Sequence, residues 1–313
     1  MIQADSLFRQ TDDLSGGVLQ TLKRKWKLRL RLMWFRHELR AWFGYMRTHG
    51  FLHLYDSDPS QCLKCTRTYL WHGLRGAERL QAQLAFFNWL RDRFEKDFVH
   101  QFFGPANHVL HELHVEGAVI TASITPARGL GREGELAVLL SLNNEIVMQA
   151  AFTVLPADML GLDGNGAPVM FIGCLQGGKD SRERIRRTTL LMERVKPSVL
   201  MLNVLQSIAQ AWQLHAIVAV GSQTHAYSGY RRTLAKRVRT DYDTLWQELG
   251  ATMQTPLGHW QLPLQWVPQA EADIESKKRA AYRRRRLFRQ EFMQACHAAS
   301  GTLGRARKHE AQS

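Results

Sequence analysis

The chain has 313 residues, of which 45% are apolar, enough to bury a sizeable core without disulfide or metal staples. That length suits one large domain with an appendage, or two. The net charge is +14. No stretch approaches the roughly 18 uninterrupted apolar residues of a membrane helix, and the opening residues lack the apolar core of a secretory signal. With only four cysteines, a cytoplasmic, disulfide-free protein is expected, and its charge leaves peripheral attachment at the inner membrane open.

The charge is concentrated. Residues 23–40 and 275–289 each hold eight basic residues and one acid, a net +7 apiece, which accounts for the whole excess. A neutral body therefore carries two basic segments. Such segments attract an anionic ligand or surface, nucleic acid or a membrane leaflet, or else serve as solvated helix faces. In the second segment the candidate anion-binding residues are Lys277, Lys278, Arg279, Arg283, Arg284, Arg285 and Arg286.

In chain order, residues 1–17 are polar and predict a flexible start. Residues 18–106 read as a helical region. Leu28, Leu32, Phe35, Leu39 and Trp42 form one stripe at steps of four, three, four and three, predicting a helix over 18–47. It either lies on an anionic membrane or docks its stripe on the body; the docked reading is the commoner one. A second helical stretch is predicted over 67–103, ended by Gly104-Pro105, with Phe86, Trp89, Leu90, Phe94 and Phe98 facing a core.

From about 107 to 300 the pattern becomes α/β. "LHELHVEGAVITASITPA" alternates like strands. "GELAVLLSLNNEIVMQAAFTVLP" reads as two strands joined at Asn143-Asn144. "VMFIGCLQGG" is a buried strand, "SRERIRRTTLLMERV" a charged helix broken by Lys196-Pro197, "SVLMLNVLQSIAQAWQLH" a second helix and "AIVAVG" a strand. This strand–helix–strand crossover predicts a parallel pair. "GHWQLPLQWVP" is a short strand, residues 274–299 a basic helix, and 301–313 a disordered tail.

Three places could carry chemistry. His108, His111 and His114 converge poorly on one metal, whether on a helix or a strand, and Cys62-x-x-Cys65 lacks a second ligand pair; no metal is assigned. "FIGCLQGGKDSRERIRR" runs a strand through a glycine turn into a helix start, where backbone N–H groups can cradle phosphate. Gln176, Gly177, Gly178, Lys179 and Arg182 are its candidates, with Lys196 and Ser198 at the next helix start; the alternative is a tight turn before a solvated helix. Third, "GSQTHAY" and "DYDTLWQEL" place His225 beyond a strand end with Asp241 and Asp243 nearby, a general base with a carboxylate orienter or a structural strut. Trp246 and Leu249 read as helix anchors.

"FIGCLQG", "KPSVLMLNVLQSIAQAW", "GSQTHAY", "DYDTLWQELGA" and "ESKKRAAYRRRR", in this order, resemble the motifs of the VirK/YbjX family over residues 60 to 295. The family pattern has a further glycine where this chain has Ala251. The resemblance implies a Gram-negative protein connected with virulence, envelope stress or resistance to antimicrobial peptides, and no established catalytic residues. The order meander, strand, helix, strand is also similar to the core of GNAT-type N-acyltransferases, although their Q/R-x-x-G-x-G/A loop is absent here. An α+β fold is thus expected: a helical region, then a mixed, mostly antiparallel GNAT-like sheet with flanking helices. Two functions stand open. One is acyl transfer from an acyl-CoA or acyl-carrier donor, with His225 as base; the other is non-enzymatic binding of nucleic acid or an anionic membrane.

Overall fold

The computed structural model describes residues 18–52, 54, 59–228 and 240–303. The predicted ends 1–17 and 304–313 lie outside them, as does 229–239 of the stretch after "AIVAVG".

The first apolar stripe forms two helices, α1 (Val18–Trp34) and α2 (Arg36–Thr48), rather than one. The interruption is a single residue, Phe35, whose ψ of 26° leaves the helical basin. Backbone bonds still cross it, Phe35 N–H to Arg31 O and Leu39 N–H to Phe35 O. The stripe therefore stays on one side: Leu28, Leu39 and Trp42 are buried and Leu32 and Phe35 pack against the same core.

Residues 67–75 depart from the predicted helix. Tyr69 and Trp71 form a bridge, Leu70 has φ +59°, and Trp71 pairs with His225. The backbone groups that a helix would have satisfied go to distant segments instead, Leu70 N–H to Arg132 O and His72 N–H to Thr224 O. Helix α3 (Gly76–Arg93) begins only after this, its first turn closed by Glu78 accepting from the Arg75 N–H at 2.6 Å. A short α4 follows (Lys96–Phe102).

The sheet strands are β1 (His108–Val115), β2 (Ala118–Pro126), β3 (Leu136–Leu142), β4 (Glu145–Pro156), β5 (Pro168–Gly177), β6 (Ala216–Ala219), β7 (Met253–Gln254) and β8 (Trp260–Leu262). Their spatial order is β1-β2-β3-β4-β5-β6-β8-β7. The neighbours are antiparallel except β5 and β6, which are parallel. Asn143 and Asn144 take φ of +50° and +67°, the left-handed pair that a two-residue hairpin needs. The parallel pair arises through the crossover of α5 (Arg182–Leu191) and α6 (Pro197–Ala211). The chain is thus α+β, with helices flanking a mixed, mostly antiparallel sheet.

Both faces of the parallel pair are covered. Met170 and Ile172 of β5 and Ile217 and Ala219 of β6 join the main core, while Val169, Phe171, Ala216 and Val218 pack under Tyr69, Leu70 and Trp71. Two-sided burial is why these strands read as unbroken apolar runs.

Two further features position the site. The ladder between β5 and β6 stops at Ile172 and Ala219, followed by one last bond from Val220 N–H to Ile172 O. Helix α7 (Tyr242–Glu248) closes the space beyond, with Trp246 Nε1 donating to Val220 O at 2.8 Å. Trp246 is fully buried and Leu249 packs on the core, as their spacing predicts. Second, α8 (Ser276–Thr302) runs parallel to α6. Arg289 Nε donates to Asn203 Oδ1, Ser207 Oγ to Met293 O, and Trp212 Nε1 to Ser300 O, at a nearly constant offset. The first turns of α8 therefore overhang the N-terminus of α6, beyond the carboxyl ends of β5 and β6.

Candidate functional site

The site grows from a close approach of two backbones. The β2–β3 loop folds over β4 and β5 at a bulge: Ala151 pairs with Cys174 and Phe152 with Ile172, leaving Gly173 extra. A Cβ on Gly173 would lie 1.8 Å from the Glu133 carbonyl oxygen, and one on Gly134 would meet the Phe152 backbone at 2.6 Å. These glycines let the loop descend, and the descent carries Glu133 and Glu135 into the interior, both buried.

Each carboxylate meets partners from other parts of the chain. Glu135 accepts from Lys64 Nζ at 2.5 Å and from the Tyr69 hydroxyl at 2.5 Å, and Lys64 also donates to Gly134 O at 3.1 Å. Burial and the adjacent Glu135 charge push the Tyr69 hydroxyl well above its ordinary pKa, so it stays a donor. Glu133 Oε1 lies 3.3 Å from His225 Nε2, at ion-pair distance but outside hydrogen-bond geometry. His225 Nδ1 accepts the Tyr227 N–H at 3.3 Å, which leaves the Nε2 proton facing Glu133. The ring stacks on Tyr242 at 5.1 Å and 14° and is 1% exposed. Burial first, and the nearby Glu133 charge second, push the Cys174 thiol well above its ordinary range. Burial likewise raises the Tyr242 hydroxyl well above its ordinary range.

The predicted pairing of His225 with Asp241 or Asp243 is not formed. Asp241 caps α7, accepting from Thr244 N–H and Thr244 Oγ1 at 3.3 and 2.8 Å. Those bonds, the hydroxyl first, hold its carboxyl below the usual range. Asp243 accepts from the Ser222 N–H at 3.0 Å and Trp260 Nε1 at 2.7 Å. An N-cap and an indole donor are nearer needs than the imidazole, so both aspartates fix the loop after β6 while Glu133 faces the ring. Glu133, Glu135, Lys64, Tyr69, Tyr242 and Cys174 carry only one weak sequence signal, two acids around Gly134 at a strand start.

The predicted phosphate residues sit at the carboxyl end of β5. Gln176 is half-buried and pairs with Gln149, Gly177 pairs with Met148, and Lys179 and Arg182 are exposed. Gly178 answers a packing need, since a Cβ there would stand 2.3 Å from Ile146 O. Lys196 is the exposed N-cap of α6 and Ser198 lies in its first turn. In the overhang, Arg283 pairs with Glu271 at 3.3 Å, Arg284 with Glu193 at 3.5 Å, and Lys277 and Lys278 with Glu275 at 3.5 and 3.1 Å. Arg279 and Arg285 donate to backbone carbonyls of Ile274 and Ala281, and Arg286 is half-buried. The Arg284–Glu193 pair puts the overhang beside the α5–α6 turn.

The three histidines of β1 point apart. His108 stacks on Phe102, His111 meets the edge of Phe292, and His114 pairs with Glu112 at 2.8 Å. Among the described residues no three His, Cys, Asp or Glu gather as a metal site. Cys65 and Cys296 are buried, and burial drives both thiols to about 12; the side chain of Cys62 lies outside the described part.

His259 beside the site gives a pH prediction. Its Nδ1 lies 3.1 Å from Thr224 Oγ1, its ring contacts Trp71 and Phe171, and burial lowers it to about 4. The unfolded ring takes a proton near pH 6.5 and the folded one resists until about 4. Its contribution is therefore complete above 6.5 and is lost as pH falls through that window, on the order of 3 kcal/mol. Thermal melts from pH 7.5 to 4 should fall more steeply for the wild type than for His259→Gln; parallel slopes would refute the assignment.

Among known proteins, the chain is 28% identical over 236 residues to the uncharacterized protein YbjX of Escherichia coli (strain K12), covering 74% of this chain and 69% of that one. It is 29% identical over 145 residues to an uncharacterized protein of Haemophilus influenzae, covering 46% and 45%. A solved mutant of a cAMP-binding acyltransferase from Mycobacterium smegmatis aligns over 72% of this chain and 63% of that one, at 10% identity and a TM-score of 0.29, below the level of a shared fold. Among the described residues no helix is long and apolar enough to cross a membrane. The family model described as protein of unknown function (DUF535) matches residues 17–298, and with the kinship to YbjX this establishes that the chain belongs to that family, the VirK/YbjX proteins.

Proposed function

We propose that the chain is a transferase that takes a phosphate-bearing acyl donor, an acyl-CoA or acyl-carrier pantetheine, at the carboxyl end of β5 and β6. One observation supports the reading. The β5 terminus, the start of α6, His225 after β6 and the basic overhang of α8 all lie at that one end of the sheet. Ligands of open sheets bind outside carboxyl strand ends where a crossover leaves a crevice.

In this reading Gln176, Gly177, Gly178, Lys179, Arg182, Lys196 and Ser198 hold the phosphates. Lys277, Lys278, Arg279 and Arg283 to Arg286 raise the local concentration of the anion. His225 accepts the proton of the attacking group at Nδ1, which must first release the Tyr227 N–H, and Glu133 positions its ring, while Asp241 and Asp243 fix residues around Ser222. Because the ring is sealed, substrate access requires residues 221–228 around it to move. The physiological setting implied by the VirK/YbjX resemblance, virulence, envelope stress or antimicrobial-peptide resistance, belongs to the same proposal.

The test is a melt with acetyl-CoA, a long-chain acyl-CoA and free CoA, followed by thiol release in the presence of amine acceptors. A donor should raise the melting temperature at low salt. His225→Gln should lower turnover by about a hundredfold or more in a chain that still unfolds cooperatively. If no donor shifts the melt at millimolar concentration, the reading fails; salt-sensitive binding to duplex DNA with no donor effect would favour the non-enzymatic alternative.

A further inference from the structure

Helix α1 is amphipathic twice over. At about 100° per residue, Leu28 and Leu32 share the side that packs on the body. Nearly opposite them, Met33, Trp26, Leu30 and Trp34 share a second stripe about 100° wide. Trp26 is 64% exposed, Met33 58% and Trp34 74%, while Leu30 is half-buried. Isolated surface apolar residues are ordinary, but three of the largest exposed ones in a row on one helix face are not.

The charge around this stripe has one sign. Residues 18–37 hold seven Lys or Arg and no acid. On the helix Lys27 and Arg31 fall on one flank of the stripe and Arg29 on the other. An apolar face with two tryptophans, bordered by basic residues, matches a phospholipid surface in both chemistries: indoles seat at the headgroup level and the cations meet anionic headgroups. Nucleic acid would use the charge but has no demand for Met33 or Leu30. The helix is too short and too charged to cross the bilayer, so it lies in the plane.

We infer that α1 is an interfacial docking helix through which the protein binds an anionic phospholipid surface, with Trp26, Met33 and Trp34 inserted and the Leu28 stripe keeping the helix fastened to the body. The inserted face needs nothing from the His225 region, so the inference stands or falls apart from the proposed transferase activity.

The test is sedimentation of the full chain with vesicles of phosphatidylcholine, alone or mixed with phosphatidylglycerol. Binding should require the anionic lipid and weaken with added salt. The triple variant Trp26→Ser, Met33→Ser, Trp34→Ser should bind roughly tenfold or more weakly at an unchanged melting temperature, because it removes exposed groups only. Replacing Arg283 to Arg286 by Gln should leave most of the binding in place. The inference is overturned if the wild type ignores anionic vesicles, if the triple variant binds them equally well, or if the triple change instead abolishes duplex DNA binding by a chain that ignores vesicles.

Discussion

Lys64→Met should destabilise the protein by about 3–5 kcal/mol in urea unfolding, because it leaves the Glu135 carboxylate buried without its cation. Lys64 Nζ and Glu135 Oε2 are 2.5 Å apart, and both side chains are almost wholly removed from water. Removing one partner exposes the full desolvation cost of the other, whereas removing both replaces the pair by ordinary packing. Lys64→Met combined with Glu135→Leu should therefore recover much of the loss, and adding Tyr69→Phe removes the hydroxyl that loses its Glu135 acceptor. A single variant within about 1 kcal/mol of wild type would mean that the pair contributes no more than a surface ion pair.

Gly173→Ala should be almost as damaging, at or above the upper end of the roughly 1–3 kcal/mol typical of overpacking. The added Cβ would stand 1.8 Å from the Glu133 carbonyl oxygen, against backbone that no rotamer change can move. Relief requires lifting the β2–β3 loop, which also draws Glu133 away from His225. Gly177→Ala is the informative contrast. There the nearest atom is Ser181 Oγ at 2.8 Å, the end of a side chain that can rotate, so a small effect is expected. Equal melting temperatures for the two variants would contradict the close-approach argument.

The comparison of Gly173 with Gly177 shows where sequence reasoning loses its grip. Gly177 reads as functional because it stands at a strand end before a helix. Gly173 carries no local signal because it sits inside an apolar strand, and its role exists only once Glu133, on a loop earlier in the chain, lands on it. Lys64 and Glu135 are 71 residues apart, and no local spacing announces a pair of that kind. Sequence proximity points to Asp241 and Asp243 as the carboxylate partners of His225. Those two serve the N-terminus of α7 and the Trp260 indole instead, since a helix start has orphan N–H groups that a nearby aspartate satisfies at once. Similarly, 67–75 carries enough helix-compatible residues to be read as helix, but its N–H groups find carbonyls on Arg132 and Thr224.

What the sequence determined by itself was whatever depends on neighbours a few residues apart. Alternation and a turn at Asn143-Asn144 specify the hairpin; unbroken apolar runs at "VMFIGCL" and "AIVAV" specify strands buried on both faces; the apolar stripe of α1 and α2 and the two +7 segments are patterns of period and charge. Family membership followed from the order of such motifs. The tertiary structure alone decided which polar groups share the interior, because a buried carboxylate is tolerable only where the fold delivers a donor from elsewhere in the chain. It also decided that the second face of α1 is left uncovered by the body, since only the packed body determines which of two apolar stripes is used and which is left over.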